Sequence, residues 1–149
     1  MAITKTEIVS LAFTRNVSES HITDADVSVA VAMYVDAYVS GVTDLSTIYA
    51  AYVKPVIAYG VAFNVFDRIA SEITDRGVVQ MVTEGATVIS DQAKLAMKRE
   101  YSETLNRLIK MMVDAAETAG MTIVDRTMLD DDNGFDMVGF TGATKQGLL

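Results

Sequence analysis

The first forty residues contain two stretches in which a helix-starting signal precedes apolar residues spaced by three and four. In the first stretch, the Thr4 hydroxyl can accept from a free backbone N–H while the Glu7 carboxylate reaches back to the N–H of Thr4. The second stretch runs from Thr23 to Tyr38, and Gly41 follows where a left-handed terminal residue belongs. We therefore predict two helices. The second is apolar on nearly all its faces, which is typical of a helix that is central in its domain or packed against another subunit.

Two longer helices follow in the pattern. One opens at Asp44 or Ser46 and reaches Pro55, where it kinks or a new helix begins with proline in its first turn. In its continuation, Gly60 is expected to allow a close helix crossing. The longest helix is predicted over residues 92–119, and its apolar stripe with charged residues elsewhere is typical of an amphipathic helix.

β-forming residues concentrate in two regions outside these helices. Residues 77–89 are rich in valine and threonine and contain a turn signal at Glu84-Gly85. Further along, two β-like runs, 122–129 and 135–140, flank an Asn-Gly dipeptide, which strongly favours a tight hairpin. We expect a short β excursion between the two long helices and a hairpin after the second of them.

The final residues, 141–149, are polar and glycine-rich with an apolar end, so they have too little apolar surface to fold alone. We interpret them as part of an arm that becomes ordered on another molecule. The predicted fold class is mainly α: a small helical bundle with a short β excursion between the two long helices and an extended or hairpin C-terminal arm. It divides into a helical domain, residues 1–120, and the arm, residues 121–149.

Composition excludes several function classes without naming one. Lys plus Arg number 12 against 20 for Asp plus Glu, and the formal charge of −8 opposes a nucleic-acid-coating role, because such proteins neutralise phosphates with cations. The absence of Cys and the single His exclude thiolate and multi-histidine metal sites and a cysteine nucleophile. The N-terminus lacks a signal-peptide pattern, and the most apolar stretch, residues 53–69, is interrupted by charges. We therefore expect no membrane association and synthesis in the cytoplasm.

Motifs that suggest chemistry fail when their spacing is tested. The acidic run at residues 130–134 does not fit a Ca²⁺ loop, because Leu129 and Phe140 fall on positions that require carboxylates. Residues 139–145 lack the glycine spacing of a phosphate loop. His21 stands in a polar connection just before a helix cap, which favours a structural role. We expect no catalytic residue, no metal and no cofactor.

The aromatic and methionine residues have two interpretations that the sequence leaves open. The chain has 9 Met, and most of its tyrosines fall on the predicted helices. These side chains either fill the core of one chain or contribute to contacts between chains, since Tyr and Met are enriched at protein–protein interfaces. The tyrosines concerned are Tyr34, Tyr38, Tyr49, Tyr52 and Tyr59.

The order of these elements resembles that of a known family. A helix that opens with residues 22–26 (ITDAD) is followed by a long helix through residues 52–59 (YVKPVIAY). Residues 73–79 (ITDRGVV) then lead into the β excursion, and a last long helix follows. Over about residues 4–119, this layout resembles the head–tail connector proteins, also called adaptor or neck proteins, of tailed double-stranded DNA bacteriophages.

The resemblance implies a structural, non-enzymatic protein of the virion at the head–tail interface. Members of that family assemble as a homo-oligomeric ring of roughly twelve copies beneath the portal protein. The ring extends the DNA channel used in DNA ejection and presents a platform for the next neck or tail protein. The net negative charge suits a channel through which DNA passes without specific binding, because an acidic wall repels DNA.

Three sets of residues are the contacts expected within such a ring. The arm would dock on the portal or an adjacent copy through Phe135, Met137, Phe140, Leu148 and Leu149. The β excursion would reach along the channel or to a neighbour with Val79, Met81, Val82 and Glu84. Lateral contacts would come from Tyr34, Tyr38, Tyr49 and Tyr52. The alternatives are an unstructured terminus for the arm, a local hairpin for the excursion and a monomer core for the tyrosines.

Two other function classes remain open at this point. One is a non-viral helical protein-interaction module with a regulatory or chaperone-like role. The other is a small carboxylate-based hydrolase that uses Mg²⁺. A ring in negative-stain images, or a large assembly in native mass spectrometry, distinguishes the connector from both.

Overall fold

The computed structural model describes residues 1–13, 17–76 and 91–124. In these ranges the fold is mainly α, as the sequence predicts, and its helices are α1 (Lys5–Ala12), α2 (Asp24–Val31), α3 (Lys54–Arg76) and α4 (Asp91–Thr118). A short 3₁₀ helix (Glu19–His21) precedes α2, and π-helical turns follow α2 (Ala32–Asp36) and precede α3 (Tyr49–Val53). Strands β1 (Val39–Ser40) and β2 (Thr122–Ile123) form a small antiparallel sheet.

Both predicted helix-starting signals are confirmed as capping boxes. At α1, the Thr4 hydroxyl accepts from the N–H of Glu7 at 3.2 Å, and the N–H of Thr4 donates to Glu7 Oε2 at 2.8 Å. At α2, the hydroxyl of Thr23 accepts from the N–H of Asp26 at 3.1 Å, and the N–H of Thr23 donates to Asp26 Oδ2 at 2.7 Å. Each box satisfies two backbone donors that the first turn of a helix otherwise leaves unpaired.

The chain around Pro55 is one continuous helical run that begins at Tyr49, later than the predicted start at Asp44 or Ser46. Within this run α3 begins at Lys54 with Pro55 in its first turn, where the missing N–H of proline is tolerated. The turn before it is π-helical: the N–H of Val53 donates to the carbonyl of Ile48, and that of Lys54 donates to the carbonyl of Tyr49. These bonds join residues five apart, so the chain enters α3 one residue out of α-helical register.

The first strand of the small sheet, β1, was not predicted from the sequence. The predicted helix does not extend to Tyr38, because β1 pairs with β2 through Val39 opposite Ile123. The N–H of Val124 then donates to the carbonyl of Tyr38 at 2.8 Å. Gly120, with φ +81°, ends α4 as predicted and turns the chain back towards this strand. Residues just beyond α4 are thus tied to the segment that follows α2.

Helix α3 lies at the centre of the core, and α1, α2 and α4 all pack against it. Its buried face meets fully buried side chains of α1 and α4; these core residues include Ile8, Val56, Ile57, Val61, Leu105, Ile109 and Met112. Tyr101 of α4 contacts both α3 and α1. Its ring lies 5.9 Å from the rings of Tyr59 and Phe66 in α3, and its hydroxyl donates to the Ala12 carbonyl in α1 at 2.9 Å. Burial raises the pKa of Tyr101, so this donor stays protonated.

The expected close crossing at Gly60 is confirmed. The ring of Tyr34, in the π-helical turn after α2, lies directly on Gly60, and a β-carbon there would collide with Tyr34 Cδ2 and lie 3.0 Å from Cε2. The Tyr34 hydroxyl donates to Asn64 Oδ1 at 2.6 Å, one turn further along α3. Burial raises the pKa of Tyr34 to about 12. The absent side chain at residue 60 therefore sets the distance between α2 and α3.

Two cations of α3 bind the same carboxylates that cap α1 and α2. Lys54 Nζ lies 2.7 Å from Glu7 Oε1. Arg68 donates from Nη1 to Asp26 Oδ1 at 3.2 Å and from Nη2 to Asp26 Oδ2 at 2.8 Å, and Nη2 also contacts the His21 carbonyl at 2.7 Å. The hydrogen bond from Lys54, followed by that from the N–H of Thr4, lowers the pKa of Glu7. Each carboxylate thus joins a helix start to α3.

Substitution of Gly60 by alanine is expected to destabilise the protein by about 1–3 kcal/mol, although alanine favours helix by about 1 kcal/mol. The added methyl group forces the Tyr34 ring off α3. Urea denaturation measures the change in the free energy of unfolding. In a Tyr34→Ala background the same substitution has nothing to collide with and should be neutral or stabilising. Equal destabilisation in both backgrounds would contradict the assigned contact.

Asp26→Asn is expected to lower the free energy of unfolding at neutral pH by up to about 2 kcal/mol. Arg68 lowers the pKa of Asp26 from its ordinary value of 3.8 to about 2. A lowered pKa in the folded state stabilises the protein above the ordinary pKa, and this stabilisation is lost as the pH falls through the folded value. The difference between wild type and variant should therefore shrink from about pH 4 to about pH 2.

The matched control for that measurement is Asp24→Asn. Asp24 lies in the same turn and pairs with Lys5, but its side chain is 95% exposed. Exposed pairs contribute little, so this variant should follow the wild type at every pH. A pH-independent deficit in Asp26→Asn would show that its hydrogen bonds, and not its charge, stabilise the fold.

Candidate interaction surfaces

Helix α2 and the turn after it present an apolar surface to solvent. Val29 and Met33 are each 48% exposed, one turn apart. Ala25 and Ala32, on the same side, are also exposed, whereas Ala30 and Tyr34 face the core. We call the exposed set Ala25, Val29, Ala32 and Met33 the α2 ridge. Exposed apolar surface of this kind on a helix is typical of a protein contact.

A second surface is an open groove between α4 and the π-helical turn before α3. Its volume is about 500 Å³. Tyr52, 37% exposed, lies on one side and Met111, 47% exposed, on the other, while Ile48 is buried. Asp114, Ala115, Thr118 and Ala119 extend the wall along α4. We call these seven residues the α4 groove.

The two surfaces belong to helices that pack on different faces of α3. α2 approaches α3 at Gly60, Asn64 and Arg68. α4 approaches it at other positions, where Lys98 binds Asp67 at 2.9 Å and lies over the Phe63 ring. The ridge and the groove are thus separate surfaces of one helical unit.

The tyrosines predicted as lateral contacts divide between the two interpretations. Tyr34, Tyr38 and Tyr49 are 3%, 6% and 9% exposed and belong to the hydrophobic core of this chain. Their burial favours the interpretation of a monomer core, as is visible at Tyr34, whose ring packs on Gly60 of α3. Tyr52 is exposed in the α4 groove, and its lateral role stays a prediction.

The other predicted contacts lie outside the described residues. These are the β-excursion residues Val79, Met81, Val82 and Glu84, and the arm residues Phe135, Met137, Phe140, Leu148 and Leu149. The chain is described up to Val124, which the β1–β2 sheet ties to the helical unit. Any arm therefore starts from the side of the molecule where this sheet lies.

Residues 1–13, 17–76 and 91–124 contain neither a cluster of metal ligands nor a membrane-spanning helix. No group of three or more His, Cys, Asp or Glu residues in these ranges is arranged to hold a metal ion. His21 is half-buried, and its carbonyl accepts a hydrogen bond from Arg68. None of the helices in the described parts of the chain is long and apolar enough to cross a membrane.

Two polar side chains of α4 have buried atoms without a hydrogen-bond partner among the described residues. They are Ser102, through its hydroxyl, and Asn106, through both amide atoms. Met111 follows Ser102 by nine residues, and Ala115 follows Asn106 by nine residues. A separation of nine residues places two side chains on opposite sides of an α-helix. These polar groups therefore face away from the α4 groove and do not contribute to it.

Sequence reasoning found part of the ridge and missed the groove. The pattern showed that α2 is apolar on several faces, including the face of Val29. Met111, Ala115 and Thr118 follow an i, i+4, i+7 spacing beside the core stripe of α4. That spacing was the available signal for the groove, but it becomes a surface only when Tyr52 is brought opposite.

Comparison with known proteins gives a family without a known role. Neither the curated proteins nor the solved structures contain a significant match to the chain. One family model matches residues 9–116, a range that takes in α2, α3 and nearly all of α4. The chain therefore belongs to a family of unknown function, DUF6712.

Proposed function

We propose that this protein is a head–tail connector subunit of a tailed bacteriophage. In this proposal it forms a ring that joins the portal protein to the next neck or tail protein and extends the DNA channel. It acts as a structural component of the virion and not as an enzyme. Its partners are further copies of itself, the portal and the downstream neck protein.

The observation that carries the proposal is the pair of unlike apolar surfaces on one helical unit. A cyclic ring larger than a dimer needs a heterologous contact, in which two different surfaces of each subunit meet those of its two neighbours. The α2 ridge and the α4 groove are two such surfaces, and they lie on helices that pack against different faces of α3. The order of elements, which resembles that of connector proteins, supports the same proposal.

The charge of the chain is compatible with a DNA channel. At −8 the protein repels a phosphate backbone instead of binding it. A subunit of a channel needs this property, because DNA must pass during packaging and ejection without being held. Charge therefore favours a structure around moving DNA over one that binds DNA.

A helical protein-interaction module remains the second candidate, because the α2 ridge alone would serve a single foreign partner. Such a module needs one exposed contact surface, whereas a ring subunit needs two that fit each other. The two candidates therefore differ in whether copies of this chain bind each other in a closed ring.

Purified chain, alone or co-expressed with the portal protein encoded in the same genome, is expected to form rings of uniform size. Negative-stain images should show a central channel, and native mass spectrometry should give one dominant mass at a multiple of 16.1 kDa. Rings that form only when the portal is present agree equally well with the proposal. A chain that stays monomeric in both preparations and does not co-purify with the portal would contradict it.

Deletion of residues 141–149 tests the proposed arm. The truncated chain should keep the circular dichroism spectrum and thermal midpoint of the full chain, because the side chains of the described core all precede Val124. Its co-purification with the portal should fall at least about tenfold, since loss of two buried Leu anchors removes roughly 3 kcal/mol or more. The matched control replaces residues 141–147 with a Gly-Ser sequence and keeps Leu148 and Leu149. Undiminished portal binding by the truncated chain would eliminate the arm from the proposal.

A further inference from the structure

The α2 ridge and the α4 groove match in length. The ridge, extended by the exposed Asp36 at its end, covers twelve residues from Ala25. The groove, extended by the exposed Arg107 one turn before Met111, also covers twelve residues, to Thr118. Since an α-helix rises about 1.5 Å per residue, each surface is at most about 17 Å long. A helix of one copy can therefore lie along the whole groove of another.

At one end of the two surfaces the charges are opposite. Asp36 and Arg107 are both exposed, and among the described residues neither forms an ion pair. The surrounding sequence strengthens the contrast. Residues 17–53 contain no lysine or arginine, whereas residues 94–110 contain five of the chain's 12 basic residues. The segment that carries the ridge is thus acidic, and the turns of α4 that lead into the groove are basic, whereas Asp114 and Glu117 make the far end of the groove acidic.

Pairing Asp36 with Arg107 fixes the direction of the docked helix. The ridge then runs antiparallel to α4, with Met33 beside Met111, Val29 beside Ala115 and Ala25 beside Thr118. In this direction the N-terminus of α2 lies near the C-terminus of α4, and the opposite partial charges of the two helix ends attract. The half-exposed Met33 and Val29 side chains fill the groove between Tyr52 and α4.

We propose that the α2 ridge of one copy docks in the α4 groove of the next, antiparallel to α4, with Asp36 bound to Arg107. This contact is heterologous, so its repetition builds a ring or an open chain and not a two-fold dimer. The inference rests on the proposed ring for its biological setting. The contact itself rests on exposure, length and charge.

Cysteine cross-linking tests both the contact and its register, because the natural chain contains no Cys. The variant Met33→Cys/Met111→Cys, treated with a short bifunctional maleimide, should give a ladder of cross-linked multimers. Ala25→Cys/Thr118→Cys should give the same ladder. The register controls, Ala25→Cys/Met111→Cys and Met33→Cys/Thr118→Cys, join positions about 10 Å apart along the helix and should give at least fivefold less. Each single variant should give no product larger than a dimer.

Charge reversal tests the assigned ion pair in the Met33→Cys/Met111→Cys background. Asp36→Arg and Arg107→Asp should each lower the yield of multimers about threefold, the size of effect expected from an exposed pair that becomes repulsive. The combination of both reversals should restore the yield, which a general loss of folding would not do. Circular dichroism confirms that each variant keeps its helical content.

The results separate this contact from the connector proposal. If the ladder forms but the protein does not associate with the portal, the contact stands and the connector role is wrong. If rings form with the portal but only the register controls cross-link, the contact is wrong and the ring stands. If the ladder is absent both in concentrated protein and in the portal complex, the proposed contact is wrong. It is also wrong if each single-cysteine variant forms cross-linked dimers in the same yield as the double variants.

Discussion

Helix α3 binds the starts of two other helices through ionic hydrogen bonds, and the arrangement of the whole helical unit depends on this. Lys54 and Arg68 each contact a carboxylate, Glu7 or Asp26, that already caps α1 or α2. One side chain therefore completes a helix start and also attaches that helix to α3. Because charge-assisted hydrogen bonds are directional and strong when partly buried, they fix where α1 and α2 begin along α3. The direction of α2 in turn determines which of its faces is left to solvent.

The parts of the fold that the sequence predicts are those determined by residues close together in the chain. Thr23 and Asp26 form their capping box across three residues, so the pattern alone identifies it. The pairing of Val39 with Ile123 joins residues more than eighty positions apart, and neither strand is long enough to produce an alternating pattern. The strand at residues 39–40 was accordingly missed, and the helix before it was extended too far.

The exposed faces of the candidate surfaces were also not predictable from residues close together in the chain. The apolar pattern on several faces of α2 left open whether the helix is central in its domain or packed against another subunit, and it did not show which face would be exposed. The structure decides this at Gly60, where the missing side chain admits the Tyr34 ring and leaves Val29 and Met33 outside. Tyr34 and Tyr38, which the sequence suggested as lateral contacts, are instead buried in the core of this chain. Nothing local in the sequence distinguishes them, because the deciding residue lies on α3.

The distribution of charge gives these exposed side chains a preferred kind of partner. Two copies that met ridge to ridge would bring two acidic segments together, and like charges without intervening cations repel. Ridge against groove, in the antiparallel register, instead places Asp36 of one copy beside Arg107 of the next. This one pair favours head-to-tail order over two-fold order, and head-to-tail order is the only one from which a ring of more than two equivalent copies closes through a single type of contact. Burial of apolar area would drive association in the head-to-tail and in the two-fold arrangement alike. Charged side chains contribute less to the affinity of an interface than to the choice of partner surface. The charges therefore determine which of the two arrangements forms.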